Sequence, residues 1–292
     1  MSISGENIME LKRAVSIQDI SCFGKCSLTV ALPVLSAMGI ETAVIPTAVL
    51  STHTGTGFTG YTYRDLTEDI LPIAEHWKKC GIQFDMICTG YLGSIKQIEI
   101  MREFFEGFGR GDTMIFIDPV MGDNGKMYAG FTDDFVSQMK GLCAKADVIA
   151  PNMTEAALML GIDYADSGYD KEYIENILKA LADMGANKVI LTGVGFSDKE
   201  QGVAYYDSTD GTTGFYITEN VEGKFHGTGD LFSSAAAGVL VKGGTLGEAC
   251  KTAVDFVLES IKNTIDNTEK YWYGVNFEKA LPSLIENVKM YY

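Results

Sequence analysis

Short apolar runs rich in β-branched residues alternate with amphipathic stretches through the first two thirds of this sequence. The runs predicted to be strands are Ala14–Ile17, Thr42–Val49, Met86–Thr89, Met114–Ile117, Val148–Ala150 and Lys188–Thr192. The stretches predicted to be helices are Ser27–Met38, Tyr63–Lys79, Ile95–Gly107, Thr132–Lys145, Thr154–Leu160 and Lys171–Met184. Strands separated by helices indicate βαβ units. They predict an α/β fold whose mostly parallel sheet is covered by helices on both faces.

The last third of the chain shows a different pattern. Alternating short strands over Gly202–Thr218 predict a small antiparallel section, and the sequence is helical from Asp230 to the amphipathic stretch Asn276–Met290. The chain contains no low-complexity tract, charge block, fixed-period repeat or proline-rich linker. We therefore predict a single domain over residues 1–292, in which residues 1–12 form an N-terminal extension.

Charge and cysteine usage restrict the possible partners. Lys and Arg number 23 against 39 Asp and Glu, a formal net charge of −16, which argues against binding to nucleic acid or to an anionic membrane surface. No apolar run approaches the roughly 18 residues of a membrane span, and the first residues lack the apolar core of a signal peptide. The six scattered cysteines form no Cys-x-x-Cys pair. They are typical of reduced thiols, so we expect a cytoplasmic protein.

Two glycine-rich segments are candidates for phosphate binding. Gly55–Gly60 matches G-x-G-x-x-G, but it follows the second predicted strand and lacks the acidic residue that a dinucleotide site places after the next strand. The P-loop pattern does not occur in the sequence. The run Phe225–Gly238 is the stronger candidate, because its glycine-rich turn leads directly into a helix of small residues.

The turn at Gly227, Thr228 and Gly229 is predicted to bind an anion. Its amides and those of the first helical turn lack partners within the helix, and the helix dipole favours negative charge at this end. The negative charge of Asp230 is unfavourable beside a phosphate unless the residue takes part in the reaction. The role that fits is to accept a proton from an attacking hydroxyl. The alternative is that Asp230 only stabilises the helix terminus; we favour the general base.

These residues resemble a known family. Gly227-Thr-Gly-Asp230 and the helix that follows resemble the anion-hole signature of the ribokinase-like superfamily. Further runs are similar to motifs of pyridoxal and pyridoxamine kinases: Asp118–Gly125 (DPVMGDNG), Ala150–Glu155 (APNMTE), Gly90–Ser94 (GYLGS), His53–Gly55 (HTG) and Tyr273–Leu281 (YGVNFEKAL). The matches occur in the family's order and extend from about residue 14 to residue 282.

The resemblance implies a fold and an activity. The expected fold is a three-layer α/β/α sandwich. The expected reaction is ATP-dependent phosphorylation of the hydroxymethyl group of pyridoxal, pyridoxine or pyridoxamine. Magnesium would accompany ATP as the co-substrate, many members use a monovalent cation such as potassium, and the expected assembly is a cytosolic homodimer.

The resemblance also assigns roles to individual residues. Asp230 would be the general base, and the amides of Gly227, Thr228 and Gly229 would stabilise the transferred phosphoryl group. The nucleotide would be bound by Asp118, Ala150, Asn152, Glu155, Thr192, Gly193, Gly227 and Gly229, with Asp118 and Glu155 as candidate magnesium ligands. The substrate pocket would contain Asp19, Thr54, Gly55 and Tyr91. Helix capping by Asn152 and Glu155 is the alternative for those two residues, and it can coexist with a metal contact.

Three positions remain open on the sequence alone. Many pyridoxal kinases carry serine where this chain has Asp19 after Ser16-Ile-Gln. A carboxylate there could attract the ammonium group of pyridoxamine, which predicts that pyridoxamine is a good substrate relative to pyridoxal; the alternative is a turn-forming residue. His53 and His226 are more typical of structural histidines than of ligands.

Other functions compete with the vitamer kinase. Hydroxymethylpyrimidine kinases of the same superfamily share the DPVM-like run, so that activity is the main alternative. Sugar kinases usually need a longer lid than the segment between Thr42 and Gly60 provides. A non-catalytic module that binds a nucleotide or a vitamer is the third possibility, since fold does not determine function.

Overall fold

The computed structural model describes residues 11–291 apart from Thr56 and Arg110. Its strands are β1 (Arg13–Ser21), β2 (Glu41–Leu50), β3 (Tyr63–Asp65), β4 (Met86–Thr89), β5 (Met114–Ile117), β6 (Gly122–Asp123), β7 (Lys126–Met127), β8 (Val148–Ile149), β9 (Lys188–Val194), β10 (Glu200–Asp207) and β11 (Thr212–Glu219). Nine of them form one sheet in the order β11-β10-β9-β8-β5-β4-β1-β2-β3, and β6 pairs with β7 in a separate hairpin.

The sheet is mostly parallel, as predicted. Strands β2, β1, β4, β5, β8 and β9 pair in parallel, whereas β10 and β11 extend the sheet antiparallel at one edge and β3 does so at the other. The central strands are buried on both faces, which explains why they appear in the sequence as continuous apolar runs rather than alternating ones.

Helices cover both faces of the sheet. They are α1 (Leu28–Ala37), α2 (Thr67–Lys79), α3 (Ile95–Phe108), α4 (Asp133–Cys143), α5 (Met153–Leu160), α6 (Lys171–Ala182), α7 (Thr228–Val241), α8 (Leu246–Ile265) and α9 (Leu281–Val288), with short 3₁₀ turns at Phe277–Lys279 and Lys289–Tyr291. Helices α2 to α6 enclose one hydrophobic core, and α1, α7, α8 and α9 enclose the other. The three-layer α/β/α sandwich is therefore confirmed.

The prediction of a helix over Tyr63–Lys79 is wrong in its first turn. Tyr63–Asp65 is strand β3, which pairs antiparallel with β2, and the helix begins at Thr67. Asp65 Oδ1 accepts a hydrogen bond from the Thr67 amide at 2.7 Å, which marks the change of direction. All three residues of β3 are exposed. An exposed edge strand buries no alternating apolar side chains, so its period cannot be recognised in the sequence.

The predicted N-terminal extension, residues 1–12, lies outside the described residues except for Leu11 and Lys12. The Lys12 ammonium pairs with Asp85 at 3.0 Å, at the start of β1. Among the helices in the described part of the chain, none is long and apolar enough to cross a membrane.

The parallel pairing places the carboxyl ends of six strands at one edge of the sheet. In a sheet of this kind, ligands bind in the crevice outside those ends. The last residues of β1 and β9, and the segments that follow β2, β4, β5 and β8, contain the polar positions that the sequence singled out. Helix α7 begins at the same edge, beside the segment that follows β1. The fold thus brings distant parts of the chain to one place.

Candidate active site

A left-handed glycine begins the helix that was predicted to bind an anion. Gly227 is the N-cap of α7 with φ of 82°, and a Cβ at this position would lie 1.8 Å from the carbonyl oxygen of Lys25. Only glycine fits this turn, because both the backbone angle and the contact exclude a side chain. Gly229, two residues on, faces open space, since a Cβ there would meet no heavy atom within 4 Å. The first-turn amides therefore have room for a ligand in front of them.

Asp230 lies in the first turn of α7, next to those amides. Burial raises the pKa of its carboxyl to about 7, and the charges of Asp118 and Asp19 add to the rise. The backbone amide of Ser27 acts in the opposite direction, lowering this pKa through a hydrogen bond. A carboxylate with a pKa near neutrality is suited to take a proton from an alcohol, because general catalysis is most efficient when the pKa lies near the working pH.

Asp118 follows β5 and faces the same helix. Its Oδ2 accepts a hydrogen bond of 2.6 Å from the Ser233 hydroxyl, and its amide donates to the carbonyl of Thr89 at 3.0 Å. Burial raises the pKa of Asp118 to about 6, and the Ser233 hydroxyl partly offsets that rise. The Asp118 charge in turn raises the pKa of Asp230. The two carboxylates therefore share one electrostatic environment.

Glu155 and Asn152 form the capping box that the sequence left as an alternative. The Asn152 side chain accepts from the Glu155 amide at 2.9 Å, and Glu155 Oε2 accepts from the Asn152 amide at 2.8 Å. Glu155 Oε1 accepts from the amide of Met121 at 3.0 Å, and Asn152 Nδ2 donates to the carbonyl of Gly122 at 2.9 Å. These bonds fasten the loop after β5 to the start of α5. Burial and the Asp118 charge raise the pKa of Glu155.

The carboxylates differ in their fit to a magnesium ion. Within residues 11–291, leaving aside the two undescribed positions, no three His, Cys, Asp or Glu side chains are grouped so that they could hold a metal ion alone. Magnesium with ATP does not need such a cage, because one or two carboxylates plus phosphate oxygens and waters complete its octahedron. Asp118 fits this requirement, since only its Oδ2 is engaged by Ser233. Glu155 fits it less well, because each of its oxygens already accepts a backbone amide.

Asp19 is a buried carboxylate near Asp230, whose pKa its charge helps to raise. Burial raises the pKa of Asp19. Its Oδ1 accepts from the Ser27 hydroxyl at 2.5 Å, and its Oδ2 accepts from the Ser21 hydroxyl at 3.1 Å. The pairing of β1 with β2 changes register between Gln18 and Ile20, so the irregularity is centred on Asp19. Such irregularities commonly redirect a side chain next to an active site.

The other predicted pocket residues lie on two neighbouring loops. Tyr91 is half-buried near Asp19, whose charge contributes to the raised pKa of the phenol after burial itself. Thr54 is exposed. Gly55 lies close to the anion turn, because a Cβ at Gly55 would come within 2.6 Å of the His226 ring. The structure thus brings the loop after β2 next to the segment that precedes α7.

His53 has a structural role, as its sequence context suggested. Its Nδ1 accepts a hydrogen bond from the amide of Gly55 at 3.0 Å, so the ring proton lies on Nε2 and is donated to the carbonyl of Tyr273 at 2.9 Å. Burial lowers the pKa of His53, which favours this neutral form. The ring also packs on His226 with centroids 4.9 Å apart. His53 therefore joins the pocket loop to the segment after α8.

The remaining predicted nucleotide residues lie directly after β8 and in the last residues of β9. The Thr192 amide donates to the carbonyl of Pro151 at 2.9 Å, and Thr192 and Asn152 form an isolated parallel bridge. Gly193 has φ of 77° and faces open space. Ala150 is 3% exposed, so a nucleotide could contact it only through its backbone.

Sequence reasoning missed two residues that contact the predicted acids. Ser233 belongs to the helix of small residues, and its position three residues after Asp230 places both side chains on one helix face, where its hydroxyl reaches Asp118. Ser27 is the first residue of a predicted helix, and nothing in the sequence indicates that its hydroxyl contacts Asp19.

Comparison with known proteins identifies the family of this chain. The family model described as phosphomethylpyrimidine kinase matches residues 32–274. The crystal structure of a "putative phosphomethylpyrimidine kinase" from Bacteroides thetaiotaomicron, in a form with pyridoxal, is 37% identical with a TM-score of 0.89 and covers 94% of this chain and 96% of that one. Pyridoxal kinase from Lactobacillus plantarum is 32% identical with a TM-score of 0.86, covering 94% and 97%.

A further relative is a kinase whose name includes all three vitamers. The pyridoxine/pyridoxal/pyridoxamine kinase of Bordetella pertussis is 28% identical over 265 residues, which are 86% of this chain and 88% of that protein. Since the family model spans most of the sequence and relatives above 30% identity are covered almost completely, the chain belongs to the phosphomethylpyrimidine kinase family of the ribokinase-like superfamily, whose relatives here include pyridoxal kinases.

Proposed function

We propose that this chain transfers the γ-phosphoryl group of ATP to the hydroxymethyl group of pyridoxal, pyridoxine and pyridoxamine. The observation that carries the proposal is Asp230, a carboxylate with its pKa raised to about 7, next to the helix-terminal turn of Gly227. Support for the substrate class comes from a relative of 37% identity whose crystal form is described as containing pyridoxal.

Asp230 is the proposed general base. Its carboxylate accepts the proton of the primary alcohol while that oxygen attacks the γ-phosphorus, the bond from phosphorus to the β,γ-bridging oxygen breaks, and ADP leaves. Positioned bases of this kind contribute about 10²- to 10⁴-fold to the rate. The amides at Gly227, Thr228 and Gly229 donate to the phosphoryl oxygens as charge develops on them.

The nucleotide is proposed to lie between the ends of β8 and β9 and the start of α7. Asn152, Thr192 and Gly193 would contact it on one side, with Ala150 and Glu155 behind them. Asp118 would hold magnesium, which neutralises phosphate charge when bound; this matters in a chain of net charge −16. Potassium dependence remains a proposal that titration of the monovalent cation would test.

The vitamer ring is proposed to lie on the other side of Asp230, between Tyr91 and the loop of Thr54 and Gly55. Asp19 borders this pocket, but its two oxygens already accept from Ser21 and Ser27. The expected preference for pyridoxamine is tested by measuring kcat/KM for the three vitamers, first with the wild type and then with Asp19→Ser. An unchanged ranking would remove Asp19 from substrate selection.

The test of the main proposal is steady-state phosphorylation of each vitamer, together with the variant Asp230→Asn. The amide side chain cannot serve as the base, so kcat should fall by about 10²-fold or more while ATP binding stays close to that of the wild type. Asp163→Asn is the matched control, because Asp163 is exposed. If wild-type protein binds ATP and pyridoxal but transfers no phosphate, the chain is a binding module rather than a kinase.

The second candidate is phosphorylation of hydroxymethylpyrimidine or its phosphate, which the description of the matching family model favours. Hydroxymethylpyrimidine, like the vitamers, presents a CH₂OH group on a nitrogen heteroaromatic ring, so the same base and anion turn serve either alcohol. Its phosphate would instead be phosphorylated on a phosphate oxygen. Comparing kcat/KM for hydroxymethylpyrimidine and for the vitamers decides between them, and a higher value for the pyrimidine would overturn our assignment.

We also propose a cytoplasmic homodimer. The six cysteines are all free thiols, three of them buried, which agrees with a reducing compartment. Light scattering coupled to gel filtration tests the assembly: a mass of one chain across micromolar concentrations would refute the dimer.

A further inference from the structure

Ser27 adopts a backbone conformation that serine rarely takes. It is the N-cap of α1 with φ of 55° and ψ of −133°, and its side chain makes no capping hydrogen bond. Within the described residues only one other non-glycine residue, Asn124, has positive φ, and Asn124 precedes glycine in the turn of the hairpin β6–β7, where positive φ is ordinary. An uncommon conformation at a buried serine calls for a compensating contact.

That contact is made with Asp19. The Ser27 hydroxyl donates to Asp19 Oδ1 at 2.5 Å, and the two residues are 7% and 5% exposed. The backbone of Ser27 also forms an isolated antiparallel bridge with Ile20. A serine N-cap normally uses its hydroxyl to accept an amide of its own helix. Here the hydroxyl is turned away from α1, toward the acid at the end of β1.

The backbone amide of Ser27 lies near the proposed base. Its hydrogen bond lowers the pKa of Asp230. The residues before Ser27 are held against the same turn, since the Lys25 carbonyl lies where a Cβ of Gly227 would be. The Lys25 amide in turn donates to the carbonyl of Tyr273 at 3.3 Å. The segment from Lys25 to Ser27 therefore packs directly on the turn that carries the base.

We propose that Asp19 and Ser27 together position Asp230, with the Asp19 carboxylate fixing the Ser27 hydroxyl so that the Ser27 amide orients the base toward the incoming alcohol. The inference rests on the proposed phosphoryl transfer and deepens it. In this arrangement Asp19 acts on the reaction through Ser27 rather than through the substrate ring. Both are positioning residues, because neither exchanges a proton with the alcohol.

Two substitutions test the contact between the Ser27 hydroxyl and Asp19 while leaving the Ser27 backbone amide in place. Ser27→Gly removes the hydroxyl but keeps the left-handed conformation accessible, so the fold should be retained. Asp19→Ala removes the acceptor. Each should lower kcat by about 10- to 100-fold, the scale of effect expected when a catalytic group is misplaced by about 1 Å. The KM values for ATP and vitamer should change less than about threefold, because phosphate and ring contacts remain.

The double variant is the decisive measurement. If Asp19 acts through Ser27, then Ser27→Gly combined with Asp19→Ala should lower kcat about as much as either change alone, since both break one linkage. Asp19→Asn should restore a kcat close to that of the wild type, because its amide oxygen still accepts from Ser27. Ser21→Ala is the matched control, since it removes the other hydroxyl that donates to Asp19 and should leave kcat nearly unchanged.

Three results overturn the proposal. Multiplicative losses in the double variant would mean independent roles. A loss confined to the vitamer KM, or a failure of Asp19→Asn to restore kcat, would place Asp19 on the substrate instead. If one single variant is unfolded by circular dichroism, the other still decides, because a folded Ser27→Gly or Asp19→Ala protein with the kcat of the wild type would show that the linkage has no role. A wild type that phosphorylates no alcohol overturns the kinase and this inference together, whereas an active wild type with multiplicative losses overturns the inference alone.

Discussion

The Ser233 hydroxyl donates to Asp118 Oδ2 at 2.6 Å, which joins the helix that carries Asp230 to the end of β5. The contact holds an ionisable side chain where its charge acts on the proposed base. It also lowers the pKa of Asp118, against the larger effect of burial. A neutral hydroxyl therefore helps to keep the candidate magnesium ligand ionised.

Replacing Ser233 with alanine should weaken use of the metal-nucleotide complex. Without the hydroxyl, the pKa of Asp118 rises above its present value of about 6, and less of the side chain is ionised near neutral pH. We expect the KM for magnesium-ATP to rise by about three- to tenfold, and unfolding free energy to fall by about 1–3 kcal/mol because a buried acceptor loses its partner.

Ser234→Ala is the control for that measurement. Ser234 is the next residue along the helix, is buried, and donates instead to the backbone carbonyl of Asp230 at 2.6 Å. Its loss should leave the KM for magnesium-ATP nearly unchanged. Equal effects of the two alanine variants on KM would show that the contact with Asp118 has no specific role.

The pH dependence of activity should report Asp230. The base must be ionised to accept a proton, and its pKa is raised from 3.8 to about 7, so activity is lost as pH falls through that value. We expect kcat/KM for ATP to be half-maximal near pH 7 and to decline about tenfold per unit below it. This parameter refers to the nucleotide-free enzyme and is measured at a constant magnesium excess.

The variant Asp230→Asn should have a low and nearly flat profile over the same range. A wild-type midpoint at or below about pH 5 would be inconsistent with a buried base, because it would approach the value of an ordinary carboxyl. A midpoint that persists in the Asn variant would assign the titration to another group, such as Asp118, whose pKa is raised to about 6.

Two glycines of the anion turn should respond to alanine in opposite ways. Gly227→Ala should prevent stable folding, because φ is 82° and the added Cβ would lie 1.8 Å from a backbone oxygen. Gly229→Ala should fold with a melting temperature near that of the wild type, since its Cβ would occupy open space. That space is where the phosphates are proposed to lie, so its kcat/KM for ATP should fall about tenfold or more.

Thermal unfolding and ATP titration of both variants check this pair. A Gly229→Ala protein with unchanged ATP affinity and kcat would show that the transferred phosphate does not approach this turn.

The sequence predicted the sheet because the sheet depends on local patterns, and the candidate site residues lie at or after the ends of its strands. Apolar runs of β-branched residues predicted the central strands within two residues at each end, except that β1 continues to Ser21, four residues beyond its predicted end. Polar residues such as Asp118 follow these strands at the edge of the sheet where ligands bind in folds of this kind. The contacts of Ser27 and Ser233 were not predictable, because they join segments 8 and 115 residues apart. Strand β3 was missed since an exposed edge strand has no buried face to impose a period.

Variants of the two candidate magnesium ligands should respond differently to magnesium concentration. Asp118→Asn should raise the magnesium concentration needed for half-maximal rate by about tenfold or more, because a neutral amide is a poor ligand for this hard cation. Glu155→Gln should mainly destabilise the fold: its oxygens accept from the amides of Met121 and Asn152, and the Gln amide group can satisfy only one of them. We expect a loss of about 1–3 kcal/mol in unfolding free energy and a nearly unchanged magnesium requirement. A large shift of that requirement in Glu155→Gln, with stability intact, would instead make Glu155 a direct metal ligand.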